Sequence, residues 1–468
     1  MENLFDIVII GSGPGGYTAA IRAAQLGFKT AIIEKYSNLG GTCTNVGCIP
    51  SKTLLDSSEN YHSVKTKFAN QGIEVGALKL NFQRMFLRAS EVVKQNVSGI
   101  NYLMKKNKIE VIYGTASFVN NNELIVKGVD GSLNAVKSKY FIVATGSKPS
   151  TIAGVTIDKN RIITSTEALS LSAKPESIVI IGGGVIGVEM ASIFARIGVK
   201  ITIIEYAESL IPTMDRELGK ELQKVLTKTG ITVLVSQKVQ SAKNNGESVT
   251  VKYLDSKNLE KEISAEYCLV AVGRKPYTEG LGLEHTKIEL DSKGRIRTDK
   301  NLRTAEENIY AIGDVIEGAM LAHKAEEEGV LAVEVIHGEK PHINYNLIPG
   351  VVYTWPEVAS VGYTEEQLKE KGIAYNKGKF PFSASGRARA SGDTEGFSKV
   401  LTDPKYGEIL GVHIIGARAA DIIAQAVVSL EFEITDSALG KISYAHPTYS
   451  ETLKDAYLIA SGSGALNI

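Results

Sequence analysis

The feature that most constrains this 468-residue sequence is an internal repeat. An apolar run, Phe5-Asp6-Ile7-Val8-Ile9-Ile10, leads into Gly11-Ser12-Gly13-Pro14-Gly15-Gly16. An Ala-rich helical pattern then runs from Tyr17 to Leu26, Gly27 breaks it, and Thr30 to Glu34 reads as a strand. The same order returns later. Ser177 to Ile181 is apolar, Gly182-Gly183-Gly184-Val185-Ile186-Gly187 follows, a helix runs to Ile197, Gly198 ends it, and Lys200 to Glu205 reads as a strand. In both copies an acid lies 23 residues after the first glycine. A strand, a Gly-rich turn, a helix and a second strand define an α/β unit.

The glycines have separate duties. Gly11 and Gly182 make the tight turn, Gly13 and Gly184 let backbone approach a pyrophosphate, and Gly16 and Gly187 allow close helix–strand packing. The helix start offers N–H groups and a partial positive charge to phosphate. Glu34 and Glu205 would each accept from a ribose hydroxyl. The bland alternative is a pair of Gly-rich turns that bind nothing. Duplication with matched acids weighs against it. At the second site, the Glu205 carboxylate favours a free 2′-hydroxyl. Tyr206-Ala207-Glu208-Ser209 adds no Arg or Lys for a 2′-phosphate, so NAD rather than NADP is expected. By the same logic Glu34 suits the adenosine ribose of FAD.

The segment Gly40-Gly41-Thr42-Cys43-Thr44-Asn45-Val46-Gly47-Cys48-Ile49-Pro50-Ser51-Lys52 carries two of the three cysteines. An odd, low count is no secreted disulfide scaffold. Two cysteines five apart are catalytic, metal-binding, or simply small buried hydrophobes. No third cysteine is near and the closest His in sequence is His62, so no metal is expected. Both cysteines are placed near the start of a helix running on from Ser51. That helix N-terminus and Lys52 would favour thiolate over thiol. Spacing of five does not put both on one face of a regular helix, but a distorted first turn could bring the sulfurs together.

Dithiol chemistry near neutral pH needs a proton acceptor, and His suits it. The candidate is His446 in Ala445-His446-Pro447-Thr448-Tyr449-Ser450-Glu451. Glu451 would orient one ring nitrogen. Thr448 and Glu451 also read as a capping box, with Glu451 satisfying backbone donors; the residues alone leave both readings open. The remaining histidines, apart from His323, are taken as structural or surface residues.

Lys plus Arg equals Asp plus Glu, so no chain-wide attraction to nucleic acid or anionic membrane is expected. The longest apolar stretch, Ile178 to Met190, is too short and too Gly-rich to span a bilayer. Met1-Glu2-Asn3 shows no secretory signal pattern, which points to the cytoplasm, or to an organelle matrix after removal of a transit peptide.

The cysteine segment resembles the redox-active segment of the pyridine nucleotide–disulfide oxidoreductases, and the resemblance extends over essentially the whole chain. Ala144-Thr145-Gly146, Ala271-Val272-Gly273-Arg274, Gly313-Asp314 and Met320-Leu321-Ala322-His323 match further family segments in order. The Ile49-Pro50-Ser51-Lys52 ending is similar to family members that act on dihydrolipoyl groups; those acting on glutathione typically have Pro-Lys-Lys there. Thr44 and Tyr449 depart from the Leu often found in the lipoyl members, and Tyr449 puts substrate access in question.

The resemblance implies two nested Rossmann-like domains and a C-terminal α+β dimerisation domain. The expected boundaries are 1–149 (FAD), 150–275 (NAD), 276–346 (completing the FAD domain) and 347–468 (dimer interface). Cys43 is implied as the interchange thiol, Cys48 as the thiol facing the flavin, and Lys52 as the cation stabilising reduced flavin. Glu189 is implied near Lys52 and the nicotinamide, and Asp314 on the ribityl chain. Lys52 read alone could be a surface lysine, and Glu189 an ordinary first-turn acid. His446 and Glu451 are implied as a dyad delivered by the second subunit of a homodimer. Thr42, Gly114, Thr145, Gly146, Ser147, Met320, Leu321, Ala322 and His323 are implied as further FAD contacts, and Val239 and Gly273 as NAD contacts. The implied activity is NAD+-linked oxidation of dihydrolipoyl groups, with lipoyl domains of 2-oxo acid dehydrogenase or glycine cleavage complexes as partners. Other disulfide reductases, a flavin NADH oxidase and a non-catalytic NADH-binding module are the rivals. A C-terminus without cysteines, the second cysteine of the pair and the retained reactive residues disfavour them in turn.

Overall fold

The computed structural model describes residues 4–467. Met1, Glu2 and Asn3, read above as showing no secretory signal pattern, lie outside the described residues, as does Ile468. The chain divides into two compact units. One runs to Thr53 and resumes over Phe86–Ser150 and Gly273–Ile343; the other takes in Leu54–Met85, Thr151–Val272 and the chain from Asn344 onward.

The first unit is built on a seven-stranded sheet. Its parallel part orders Glu110–Tyr113, β2 (Thr30–Glu34), β1 (Leu4–Ile10) and Leu133–Val143. Ile309–Ala311 joins in parallel beside the end of Leu133–Val143, and Glu123–Lys127 and Thr115–Asn120 extend the sheet antiparallel. The sheet is covered, so β1 and β2 are nearly continuous runs of Ile, Val and Ala. Helix α1 (Pro14–Gln25) starts at Pro14, where a missing N–H costs nothing, and so begins earlier than its Ala-rich pattern. It packs tightly on the helix Ala322–His337: a Cβ on Gly15 would stand 2.7 Å from the Ala325 carbonyl oxygen.

The second unit repeats the theme. A five-stranded parallel sheet orders Thr232–Leu234, Lys200–Ile204, Ser177–Ile181, Tyr267–Val270 and Ile162–Ile163. The helix Val185–Arg196 follows its Gly-rich turn. A three-stranded antiparallel sheet (Lys238–Asn244, Val249–Leu254, Glu260–Ala265) contacts the strands Ser177–Ile181 and Tyr267–Val270. The C-terminal part is an antiparallel five-stranded sheet, Gly350–Val352, Glu357–Gly362, Ile409–Gly416, Phe397–Thr402 and Asn376–Pro381, packed by the helices Ala419–Glu431 and Glu451–Ala460. Among the described residues no helix is long and apolar enough to cross a membrane.

Candidate active site and dinucleotide cradles

The two Gly-rich turns are built alike at their first, middle and last glycines. Gly11 and Gly182 have φ of 104° and 106°. A Cβ on either would strike the carbonyl oxygen of Ala144 or of Ala271 at 2.4 Å, so the strand-end segment of each half seats its own first glycine. A Cβ on Gly16 or Gly187 would lie 1.9 or 2.0 Å from the carbonyl oxygen of Gly11 or Gly182. Around Gly13 and Gly184 a Cβ would meet nothing within 4 Å. Each turn is therefore closed at its ends and open at its middle glycine. Neither following helix has a side-chain cap on its N-terminus. Open space, uncapped amides and a positive helix end fit a pyrophosphate.

The acids do more than the sequence suggested. Glu34 Oε2 accepts from Ser12 N–H at 3.1 Å and Ser12 Oγ at 2.5 Å, while Oε1 accepts from Tyr36 N–H at 2.9 Å. Glu205 Oε2 accepts from Gly183 N–H at 2.5 Å and Oε1 from Ala207 N–H at 2.6 Å. Each carboxylate clamps the turn to its own strand end and is buried. Each oxygen retains acceptor capacity, so the clamp is compatible with a ribose hydroxyl. Gly114 N–H donates to the Glu34 carbonyl, which places Gly114 beside the first acid. Val239 lies at a bulge in its strand, two residues beyond Gln237, whose N–H donates to the Glu205 carbonyl. The segment between Gly146 and Gly273 is stitched by Thr145 Oγ1 donating to the Tyr277 carbonyl at 2.6 Å and Ser150 N–H to the Gly273 carbonyl at 2.9 Å.

Ser147 and Asp314, which the sequence gives separately, are joined: Ser147 Oγ donates to Asp314 Oδ2 at 2.5 Å. Arg274 holds the same serine, through Nε to Oγ at 2.7 Å and Nη2 to the carbonyl at 2.8 Å. Beneath Asp314 lies a pair that sequence reasoning missed. Lys324 and Glu328, one turn apart, form a fully buried ion pair at 2.7 Å, and Glu328 Oε2 accepts from Gly313 N–H at 2.7 Å. Met320, Leu321, Ala322 and His323 lie at the start of the same helix.

The cysteines sit in two helices rather than one distorted turn. Cys43 belongs to α2 (Gly41–Val46) and Cys48 opens α3 (Cys48–Thr66). The expected helix from Ser51 thus begins three residues early, with Gly47 as the break. A Cβ on Gly47 would lie 2.8 Å from the Thr42 carbonyl oxygen and 3.1 Å from Cys43 Cα. Across that close approach the Cys43 and Cys48 side chains are hydrogen-bonded. Asn45 Nδ2 fastens α2 by donating to the carbonyls of Leu39 and Gly41, both at 3.0 Å. Gly41, next to Thr42, packs on Gly13 of the first cradle. Both cysteines are half-buried.

The expected pull of Lys52 toward thiolate is present at Cys43 but does not prevail. The Cys43 thiol is pushed well up by the hydrogen bond to Cys48, then by burial and the Cys48 and Glu326 charges; Lys52 pulls it down and is outweighed. Ionising Cys43 beside Cys48 would bring two negative sulfurs into contact, which is why the shift is upward. Lys52 lies four residues after Cys48, on the same face of α3.

Glu189 is buried, and its Oε1 accepts from Tyr353 N–H at 3.0 Å. His446 Nδ1 lies 2.8 Å from Glu451 Oε1, while Glu451 Oε2 accepts from Thr448 N–H at 2.8 Å. The capping box is not formed: the helix Glu451–Ala460 has Ser450 as its N-cap with no side-chain cap, and Thr448 Oγ1 donates to the Ala445 carbonyl at 2.8 Å. The His446 side chain is 74% exposed. Among the described residues, no group of three or more His, Cys, Asp or Glu side chains could hold a metal.

Two nested Rossmann-like halves, paired cysteines and an antiparallel C-terminal sheet define a nucleotide-dependent disulfide oxidoreductase. Residues 5–329 match the family model described as pyridine nucleotide-disulphide oxidoreductase, and residues 348–457 match its dimerisation domain. The chain belongs to that family, whose fold class it shares; it uses FAD and NAD, and the second match supports a homodimer. It is 46% identical over 458 residues to "Dihydrolipoyl dehydrogenase, mitochondrial" of Schizosaccharomyces pombe, covering 97% of this chain and 90% of that protein. It is 46% identical over 464 residues to the protein of the same name from Caenorhabditis elegans, covering 99% and 94%. Among solved structures, the HOCl-induced flavoprotein disulfide reductase RclA of Escherichia coli, as its Cu(II) complex, matches with a TM-score of 0.88 and 28% identity over 98% of this chain and 99% of that one.

Proposed function

We propose that the chain is a dihydrolipoyl dehydrogenase, which oxidises protein-bound dihydrolipoyl groups to the cyclic disulfide with NAD+. The observation that carries this reading is the hydrogen-bonded Cys43–Cys48 pair beside Lys52, in a chain 46% identical over nearly its whole length to proteins bearing that name. In the oxidised protein, a dihydrolipoyl thiolate forms a bond to Cys43 Sγ. The Cys43–Cys48 bond breaks, and Cys48 leaves as thiolate. The attacking thiol's proton passes to His446 Nε2, the ring nitrogen opposite the one Glu451 holds. The second substrate thiol then displaces Cys43, its proton passing to the departing Cys43 sulfur, and the cyclic disulfide departs. The protein keeps both electrons, on the Cys43 thiol and the Cys48 thiolate.

Bound FAD and NAD+ supply the two-electron acceptor chain that no side chain provides. Gly11, Gly13, Gly16 and Glu34, with Thr42, Gly114, Thr145, Gly146, Ser147, Asp314 and Met320 to His323, would hold the first. Gly182, Gly184, Gly187, Glu205, Val239 and Gly273 would hold the second. Lys52 places positive charge on the Cys48 face of α3, and Glu189 serves the nicotinamide side. The segments 1–149, 150–275, 276–346 and 347–468 are proposed as FAD, NAD, FAD-completing and interface parts. His446, exposed in the single chain, is proposed to serve the site of the partner subunit. Lipoyl domains of 2-oxo acid dehydrogenase or glycine cleavage complexes are the proposed partners, in the cytoplasm or an organelle matrix.

The test is anaerobic stopped-flow spectroscopy of the FAD-loaded dimer with dihydrolipoamide and then NAD+. The expected result is a long-wavelength thiolate-to-flavin band discharged by NAD+ as NADH forms, and its absence in Cys48→Ser. Cys48→Ser with undiminished dithiol:NAD+ turnover would refute the mechanism. Flavin reduced by NADH but not by dihydrolipoamide would keep the disulfide reductase and remove the substrate.

A further inference from the structure

His446 stands on irregular backbone: no strand or helix ladder holds residues 442–450, and the next helix begins at Glu451. A ring on such a segment needs fixing from outside. Tyr449 supplies the contacts. Its hydroxyl lies 2.6 Å from Ser391 Oγ and donates to Asp393 Oδ2 at 3.3 Å. Asp393 is held in turn, its Oδ1 accepting from Trp355 Nε1 at 3.1 Å and from Lys67 Nζ at 2.8 Å. The Tyr449 ring stacks on Phe382, with centroids 6.1 Å apart, and the Arg387 guanidinium lies 5.6 Å from its centroid. The Tyr449 carbonyl accepts from Thr452 Oγ1 at 2.7 Å, and Thr452 Oγ1 meets Ser398 Oγ at 2.8 Å.

The residue midway between the ring and its orienting acid is thus moored by its hydroxyl, its ring face and its carbonyl. None of these moorings uses His446 or Glu451. The sequence raised Tyr449 as an obstacle to substrate, but its hydroxyl is committed to Ser391 and Asp393. A Leu here would lose both the ring stack and the hydroxyl contacts.

We propose that Tyr449 is a positioning residue for proton transfer: through Ser391 and Asp393 it fixes the segment that presents the His446–Glu451 pair. The proposal rests on the reading of His446 as the proton acceptor. Tyr449→Phe keeps the stacked ring and removes both hydroxyl contacts; Tyr449→Leu removes the stack as well. In the FAD-loaded dimer, kcat for dihydrolipoamide with NAD+ falls about fivefold in the first and roughly 50-fold in the second, because small misplacements of a reacting group are costly. KM for either substrate stays within about twofold, since neither binding contact is touched. The solvent deuterium isotope effect on kcat rises as proton transfer slows, a change that mere loss of folded protein would not produce. Asp393→Asn, which keeps an acceptor for the hydroxyl, recovers most of the kcat that Asp393→Ala loses.

Wild-type kcat and isotope effect in folded, dimeric Tyr449→Leu would overturn the proposal. If that variant does not fold, Ser391→Ala decides on the same two readouts, because it removes one hydroxyl from a half-buried site. His446→Gln, measured in parallel, separates the two ideas. Undiminished dithiol turnover there removes the base itself; a loss there with none in the Tyr449 series removes only the positioning.

Discussion

At the scale of single residues, the redox pair depends on a hydrogen atom at Gly47. A Cβ there would stand 2.8 Å from the Thr42 carbonyl oxygen and 3.1 Å from Cys43 Cα, both backbone atoms that cannot swing aside. Gly47→Ala must therefore push α2 from α3 and part the sulfurs. Dithiol:NAD+ turnover is expected to fall roughly 100-fold, while titration with a thiol reagent still finds both cysteines accessible. Turnover near wild type would mean that another contact sets the sulfur geometry. The cysteines, Lys52, His446, Glu451 and all six cradle glycines were legible in the sequence because short motifs encode them. Gly47 was quoted there without a duty, since its reason is a contact and not a spacing. The same holds for the loop-clamping of Glu34 and Glu205: the acid is visible from its position after the glycines, but its grip on Ser12 or Gly183 is not. His413, read as structural, is buried between Ser360 Oγ at 2.6 Å and the Tyr363 carbonyl at 2.9 Å.

At the scale of elements, the second unit contains a charge cluster with no sequence signature. Lys399, on the strand Phe397–Thr402, is fully buried and reaches Asp215 at 2.9 Å, Glu217 at 3.0 Å and Glu365 at 2.6 Å. Asp215 also caps the helix Arg216–Lys228, accepting from Glu217 N–H at 3.1 Å, and accepts from Glu365 N–H at 3.1 Å. The four residues are scattered over nearly 200 positions, so periodicity could not group them; only the fold does. Removing the lysine leaves buried carboxylates facing one another. Lys399→Met is expected to destabilise the fold at neutral pH by about 3–5 kcal/mol, the range for breaking a buried ion pair. The pH dependence follows. Burial pushes Glu217 up, but the hydrogen bonds from Lys379 and Lys399 outweigh it and bring its carboxyl down to about 2. A depressed carboxyl contributes stability that is complete above its ordinary value near 4.5 and is lost as pH falls from there toward 2. Denaturant midpoints between pH 7 and pH 2.5 should therefore fall below pH 4.5 in the wild type. The fall should be shallower in Lys399→Met, which has already lost the pair. Parallel curves would place the acid sensitivity elsewhere.

At the scale of the whole molecule, the proposed site is a property of two chains, and the exposed His446 ring makes that testable without a structure of the dimer. Consider one chain carrying Cys48→Ser and another carrying His446→Gln. Each homodimer is disabled at both sites, one for want of a redox pair and the other for want of a base. In a mixed dimer the answer depends on where the base comes from. If each chain's His446 serves its own cysteines, every site carries one lesion and the mixed dimer is dead. If His446 serves the partner, one site collects both lesions and the other collects neither, so it works. Random pairing of equal amounts makes half the dimers mixed, and each of those has one sound site in two. Co-expression should then restore about a quarter of wild-type turnover per FAD, as the twofold symmetry of such a dimer requires. Mixing the finished homodimers should restore it only as fast as subunits exchange. No recovery in a verified mixed dimer would return the base to its own chain. The cradles, the cysteine pair and the Tyr449 mooring would survive that result, because each is built within one chain.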